Sequence, residues 1–154
     1  MMFEFRKPTE NDSKEISTWK YDGIYSFYDN DKTKTKQEWA LNIHKDENAF
    51  MIYKENELIA NCCFNFDKDK ILFGIQMKPN LTGKGMGTDI VNAALNFGRE
   101  KFKFNNIWIF VAKFNNRAIK IYKKLGFKIT YEFVWKVNGE ETGFIEMQKS
   151  WNEG

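Results

Sequence analysis

Cysteine, proline and histidine are scarce in this chain of 154 residues, which holds 2 Cys, 2 Pro and 1 His. The cysteines, Cys62 and Cys63, are adjacent in a strand-like run and have no other thiol to pair with. A disulfide framework is therefore excluded, and the pair reads as buried or half-buried free thiols of a reducing compartment. So few prolines, with no low-complexity run, argue against long linkers or disorder. No apolar run approaches the ~20 residues that a membrane-crossing helix needs. The start, Met1-Met2-Phe3-Glu4-Phe5-Arg6, lacks the basic-then-apolar pattern of a secretory signal. No membrane partner is expected, and the expected location is the cytoplasm. Charge of one sign is also lacking. Lys and Arg number 24 against 21 Asp and Glu, a net +3, scattered along the chain. That is too little for a nucleic-acid partner. Arg99, Lys101 and Lys103 fall at a helix C-terminus, where cations are favoured anyway. His44 lies toward a helix end and reads as a surface residue, and no metal site is expected.

What the chain does have is apolar and aromatic side chains, 42% and 17% of residues, with 15 Phe. Length and composition suit one domain over residues 1–154 with a substantial core. Phe3 and Phe5 alternate with polar neighbours as a short strand. Thr9-Glu10-Asn11-Asp12 opens a helix like a capping box, with Ile16 and Trp19 on one face. The aromatic stretch 21–29 follows neither period, and Gly23 breaks any helix there. A second helix is predicted from Thr35 to His44. Strands are predicted over Ala49–Tyr53, Leu58–Phe66 and Ile71–Met77, with polar turns between them. Ile90, Val91, Ala94, Leu95 and Phe97 form a helical stripe ending near Phe102. Ile107–Val111 is a continuous apolar run, as for a strand buried on both faces. A helix from Asn116 to Leu125 stops at Gly126. Phe127 to Val137 alternates, Asn138-Gly139 marks a two-residue hairpin, and Phe144, Ile145 and Met147 return as the last strand.

The centre of this pattern is Lys78-Pro79-Asn80-Leu81-Thr82-Gly83-Lys84-Gly85-Met86-Gly87-Thr88, between a strand and a long helix. Alternating glycines let a backbone approach a ligand closely. The helix start adds unpaired N–H groups and the positive end of its dipole, together an anion site. A Walker A loop fails, because Gly83-Lys84 is followed by Gly85 rather than Ser or Thr. A dinucleotide fingerprint is weak, because Thr88 stands where its third glycine belongs. A glycine-rich turn without a ligand is the remaining alternative.

About thirty residues on comes Asn115-Asn116-Arg117-Ala118-Ile119-Lys120-Ile121-Tyr122-Lys123-Lys124-Leu125-Gly126-Phe127. Together the two segments resemble the GNAT superfamily of acyl-CoA-dependent N-acyltransferases. Gly85 and Gly87 match that family's Arg/Gln-x-x-Gly-x-Gly/Ala pyrophosphate loop. Asn115, Ala118, Tyr122, Gly126 and Phe127 match its second motif. The resemblance implies an α/β (α+β) fold: a mixed, mostly antiparallel sheet of six to seven strands with helices on both faces. Its order is β-α-α-β-β-β-α-β-α-β-β. It also implies acetyl-CoA as co-substrate, held by Ile75 and Met77 on the strand and by Thr82, Gly83, Lys84, Gly85, Met86, Gly87 and Thr88 on the loop. Asn115 joins them either as a brace or as a simple helix cap, and Lys84 either nears a CoA phosphate or stays solvated. Tyr122 is the implied acid that protonates the departing thiol; by periodicity alone it reads as a core tyrosine.

The chain departs from the pattern at two positions. Thr82 replaces the usual Arg or Gln, and Leu72 lies where relatives carry a carboxylate. The general base is therefore open among Asp22, Asp29, Glu132, Glu146 and a water relay. Tyr21, Asp22, Tyr25, Tyr28 and Asp29, with Trp19 and Phe27, would suit a cationic amine acceptor by charge and cation–π contacts, or they pack the helical layer. The expected function is transfer of an acetyl group to a primary amine of a small molecule or protein, by direct attack in a ternary complex. The alternative is an acyl-CoA-binding sensor or scaffold. Monomer and homodimer are equally compatible with the pattern.

Overall fold

The computed structural model describes residues 2–151. Its regular elements are β1 (Glu4–Arg6), α1 (Glu10–Ser17), α2 (Lys34–Leu41), β2 (Ala49–Lys54), β3 (Glu57–Asp67), β4 (Lys70–Met77), α3 (Gly87–Phe102), β5 (Asn106–Ala112), α4 (Asn116–Lys124), β6 (Lys128–Val137) and β7 (Glu140–Ser150). The order is the expected one. The strands form a seven-stranded sheet in the order β1-β2-β3-β4-β5-β7-β6. Its β1–β2, β2–β3, β5–β7 and β6–β7 pairs are antiparallel, and β4–β5 is parallel. The chain divides into two compact units, one holding residues up to Cys63 with Gln76–Thr82, the other Phe64–Ile75 with Gly83 onward.

In the first unit the capping box at α1 forms as expected. The Asp12 N–H donates to Thr9 Oγ1 at 3.1 Å, and the Thr9 N–H donates to Asp12 Oδ2 at 2.9 Å. Asp12 is nonetheless buried, because its other oxygen accepts the Tyr53 hydroxyl. Helix α1 ends at Ser17, so Trp19 lies beyond it, yet Trp19 joins Ile16, Ala40, Ile43, Ala49, Met51 and Leu58 in the core. The aromatic stretch differs from expectation. Gly23 does not break a helix but begins a 3-10 helix, Gly23–Tyr28. A 3-10 turn places side chains at neither of the two regular periods, which is why the stretch read as irregular. Helix α2 stops at Leu41 rather than His44, and Ile43–Lys45 forms a separate 3-10 turn. His44 is half-buried rather than on the surface, with its Nδ1 3.0 Å from the hydroxyl of buried Ser13. Cys62 is buried and Cys63 half-buried, neither in a disulfide, and burial pushes the Cys62 thiol up from its ordinary pKa.

In the second unit, α3 presents buried Ile90, Val91, Ala94, Leu95 and Gly98. Gly98 is there for space. A Cβ at this position would lie 2.3 Å from Phe64 Cε1, a ring that also touches Phe73, Phe102 and Phe104. Strand β5 alternates instead of being buried on both faces. Ile107, Ile109 and Val111 are buried, while Trp108 and Phe110 are half-buried. β5 is parallel to β4 on one side only, and its other neighbour is antiparallel β7. Asn138 and Gly139 both take positive φ, 54° and 81°, the geometry of a tight hairpin between β6 and β7.

Candidate active site

The loop glycines Gly83, Gly85 and Gly87 and the second motif belong to the second unit, and the structure brings Gly83 together with Arg117 of that motif. Gly83 and Gly85 adopt φ of +74° and +80°, where side chains are strained, and Gly87 begins α3. Met86 caps that helix without a side-chain bond, so the first N–H groups of α3 rely on partners outside the helix. Thr88 is half-buried in the first turn, Asp89 follows it, and Lys84 is exposed on the loop. Against the loop lies the guanidinium of Arg117, so close that a Cβ on Gly83 would stand 2.7 Å from its Nη1.

Arg117 was not among the expected contacts, although the sequence carried a signal for it. It sits in the first turn of α4, where a cation opposes the helix dipole. A cation there is accommodated best beside an anion. The loop and α4 thus join backbone donors, a helix N-terminus and a guanidinium in one cradle. This donor set fits a pyrophosphate, for which Arg supplies fork-shaped, charge-assisted hydrogen bonds.

Asn115 is the cap of α4, its Oδ1 accepting the Ala118 N–H at 3.1 Å. The cap fixes its start, the start fixes its phase, and the phase turns Tyr122 inward, the one residue of α4 that is buried. Tyr122 packs edge-on against Phe127, their ring centroids 5.4 Å apart. The parallel ladder of β4 and β5 registers Leu72 with Trp108. Ile75 itself is half-buried.

The remaining expected residues lie in the first unit, and several have internal work. The Thr82 hydroxyl donates to Pro79 O at 2.8 Å, closing the 3-10 turn before the loop. The Met77 carbonyl accepts the Tyr21 hydroxyl at 2.5 Å. Burial holds the Tyr21 phenol above its ordinary pKa, with Gln76 pulling the other way. Asp29 is buried and accepts the Tyr21 N–H at 2.7 Å. Next to it Asn30 bonds Ile16 O and Gln76, and Gln76 also reaches Tyr28 O. Asp22 is exposed and makes no side-chain cap bond, and Tyr25 and Tyr28 are half-buried.

Of the base candidates in the second unit, buried Glu146 accepts Lys70 Nζ at 3.0 Å and the Thr130 hydroxyl at 2.7 Å. Glu132 pairs with Lys113 at 2.9 Å. Among the described residues no group of His, Cys, Asp and Glu could hold a metal, and no helix is long and apolar enough to cross a membrane.

Comparison with known proteins agrees with this geometry. The family model described as Acetyltransferase (GNAT) family matches residues 13–127. The chain is 30% identical over 90 residues to "Acetyltransferase PseH" of Campylobacter jejuni, covering 56% of each. It is 32% identical over 77 residues to "Spermidine N(1)-acetyltransferase" of Escherichia coli K12, covering 49% of this chain and 41% of that one. The matched stretch therefore spans about half the length of these curated relatives. The fold is shared far more widely. "The crystal structure of the acetyltransferase (GNAT family) from Bacillus anthracis" superposes with a TM-score of 0.77 at 17% identity, covering 96% of this chain and 94% of that one. A family match that contains both the glycine loop and the Asn115–Phe127 motif, on a shared fold, leaves one conclusion: the chain belongs to the acetyltransferase (GNAT) family.

Proposed function

We propose that the chain is an N-acetyltransferase that moves the acetyl group of acetyl-CoA to a primary amine, both substrates being bound at once on one domain spanning residues 1–154. The observation that carries this reading is the cradle of Gly83, Gly85, the α3 N-terminus and the Arg117 guanidinium. It suits the CoA pyrophosphate, with Met86, Gly87 and Thr88 donating backbone N–H groups and Lys84 in reach of a phosphate. Ile75 and Met77 offer backbone to the pantetheine arm, Met77 through its N–H, since its carbonyl already serves Tyr21.

In the reaction the lone pair of the neutral amine attacks the thioester carbonyl carbon, the C–S bond breaks, the thiolate takes the proton of the Tyr122 hydroxyl, and the proton then shed by the amide nitrogen returns the Tyr122 phenolate to its neutral form. Holding both reactants in line supplies several kcal/mol of the rate enhancement. An alkylamine with an ordinary pKa of about 10.4 is mostly protonated at neutral pH, so it must first lose a proton. Glu146, Glu132 and Asp29 are each engaged by donors of the protein itself. Asp22, which is exposed and makes no side-chain cap bond, or a chain of water takes that proton in this reading, with those three carboxylates as the alternatives. Asp22, Tyr25 and Tyr28 are the acceptor contacts proposed from their chemistry, while Tyr21 and Asp29 are bonded within their own unit.

The test is thiol release from acetyl-CoA against a panel of amines, beside calorimetric titration of acetyl-CoA alone. Spermidine, the acceptor in the name of the Escherichia coli relative, is the first amine to try. Binding with turnover on any amine is the expected result. Binding without turnover across a broad panel would favour an acyl-CoA sensor, and absence of binding would overturn the cradle.

A further inference from the structure

A side-chain amide half-buried in a strand must find partners for two N–H donors and for an oxygen that can accept twice. Gln76, on β4 directly before Met77, finds them all. Its Oε1 accepts Asn30 Nδ2 at 3.0 Å and Asn61 Nδ2 at 3.3 Å. Its Nε2 donates to Tyr28 O at 3.2 Å and to Asn30 Oδ1 at 3.3 Å. Asn30 and Asn61 are themselves buried, and Asn30 carries the network on to Ile16 O near the end of α1.

Three of the four bonds go to Tyr28 and Asn30, at the C-terminal end of the aromatic segment. The N-terminal end is tied to the same strand, because the Tyr21 hydroxyl donates to Met77 O. Apolar burial does not anchor the stretch between them, since no residue of the 3-10 helix Gly23–Tyr28 is buried. A further tie, from Lys36 Nζ to Phe27 O at 2.7 Å, comes from α2 rather than from the sheet. The segment proposed to meet the amine is thus fastened at both ends to two consecutive residues of β4, the strand proposed to carry the pantetheine arm. A buried polar network of this kind fixes one geometry while every member is satisfied and loosens when one is lost.

We propose that Gln76 is a positioning residue of the acceptor site: its amide sets where the segment Tyr21–Asn30 stands relative to Met77, and so governs affinity for the amine but not for acetyl-CoA. This role rests on the acetyltransfer reading above. The test is steady-state kinetics on the fastest amine of the panel, spermidine first, with calorimetric titration of acetyl-CoA and circular dichroism on each variant. Gln76→Met keeps an unbranched side chain and makes none of the four bonds. It should raise the amine KM at least about tenfold and leave the acetyl-CoA Kd within about twofold of wild type. A substitution that merely lowered the share of folded enzyme would reduce kcat and leave that KM alone. Gln76→Glu tests the donors separately and decides the matter if Gln76→Met does not fold. The introduced carboxylate still accepts from Asn30 and Asn61 but opposes Tyr28 O and Asn30 Oδ1; once protonated, it donates to Tyr28 O. Its kcat/KM for the amine, divided by that of wild type at the same pH to cancel titration of the amine, should climb toward one as pH is lowered. A wild type that turns over no amine overturns the acetyltransfer reading and this role with it. A working wild type beside a folded Gln76→Met that keeps its amine KM, or that loses acetyl-CoA affinity equally, overturns this role alone. So does a Gln76→Glu ratio that stays flat with pH.

Discussion

Replacing Gly83 with Ala separates what the glycine loop does for the backbone from what it does for Arg117. At φ +74° the new Cβ is strained, by about 1–2 kcal/mol for an L-residue in the left-handed region. It would also stand 2.7 Å from Arg117 Nη1, forcing the guanidinium to shift toward ordinary contact distance. Gly85→Ala is the control, since its φ is +80° but nothing lies within 4 Å of the added Cβ. Both variants should therefore lose similar stability, a few degrees in Tm at about 2–4 °C per kcal/mol. Only Gly83→Ala should disturb the Arg117 contact. A charge-assisted hydrogen bond contributes about 1.5–3 kcal/mol, so displacing it should weaken acetyl-CoA binding at least about tenfold. Calorimetric titration reads the effect, and repeating both substitutions in an Arg117→Ala background isolates it. The penalty of Gly83→Ala should shrink there to its strain component, while that of Gly85→Ala should persist. If Gly83→Ala costs as much affinity without Arg117 as with it, the guanidinium plays no part in holding the anion.

Gly98→Ala gains about 1 kcal/mol of helix propensity, but its Cβ meets the buried Phe64 ring at 2.3 Å. Overpacking of about 1–3 kcal/mol or more should win, lowering the urea midpoint, with Phe64→Leu partly rescuing it; a raised midpoint would refute the close approach. Tyr122→Phe should lower turnover at least about tenfold, a floor below the roughly 10²–10⁴-fold typical of general acid catalysis, with acetyl-CoA affinity nearly unchanged. Unchanged turnover would remove Tyr122 from the mechanism. Tyr53 should give an alkaline signature. Burial first, then the bond to Asp12, push its phenol from 10.0 up to about 12. The folded state thus favours the neutral phenol, so this stabilisation is complete below pH 10 and is lost as pH rises toward 12. Urea midpoints followed from neutral to alkaline pH should fall more steeply for wild type than for Tyr53→Phe, and parallel curves would contradict the shift.

Much of this protein is written locally. The Thr9–Asp12 box, the stripe along α3, the Asn115 cap and the Asn138-Gly139 turn each involve residues at most a few positions apart. Their physics is that of one helical turn or one hairpin, and a sequence displays it directly. The glycine loop and the segment from Asn115 to Phe127 were legible for the same reason, since each motif is a short run with fixed spacing. Tertiary structure alone decided how those runs are used. It set Arg117 against Gly83, tied Tyr21 to Met77 across 56 positions, and engaged Glu146 with Lys70 across 76. It also made β6 an edge and left one face of β5 half-open. Pairings across such separations depend on which strands become neighbours, and no local period encodes that. So the sequence by itself determined the family, the order of elements and the glycine-rich loop before α3. Which donors engage Asp29 and Glu146, which cation lies beside Gly83 and which strand ends the sheet were decided when distant segments met.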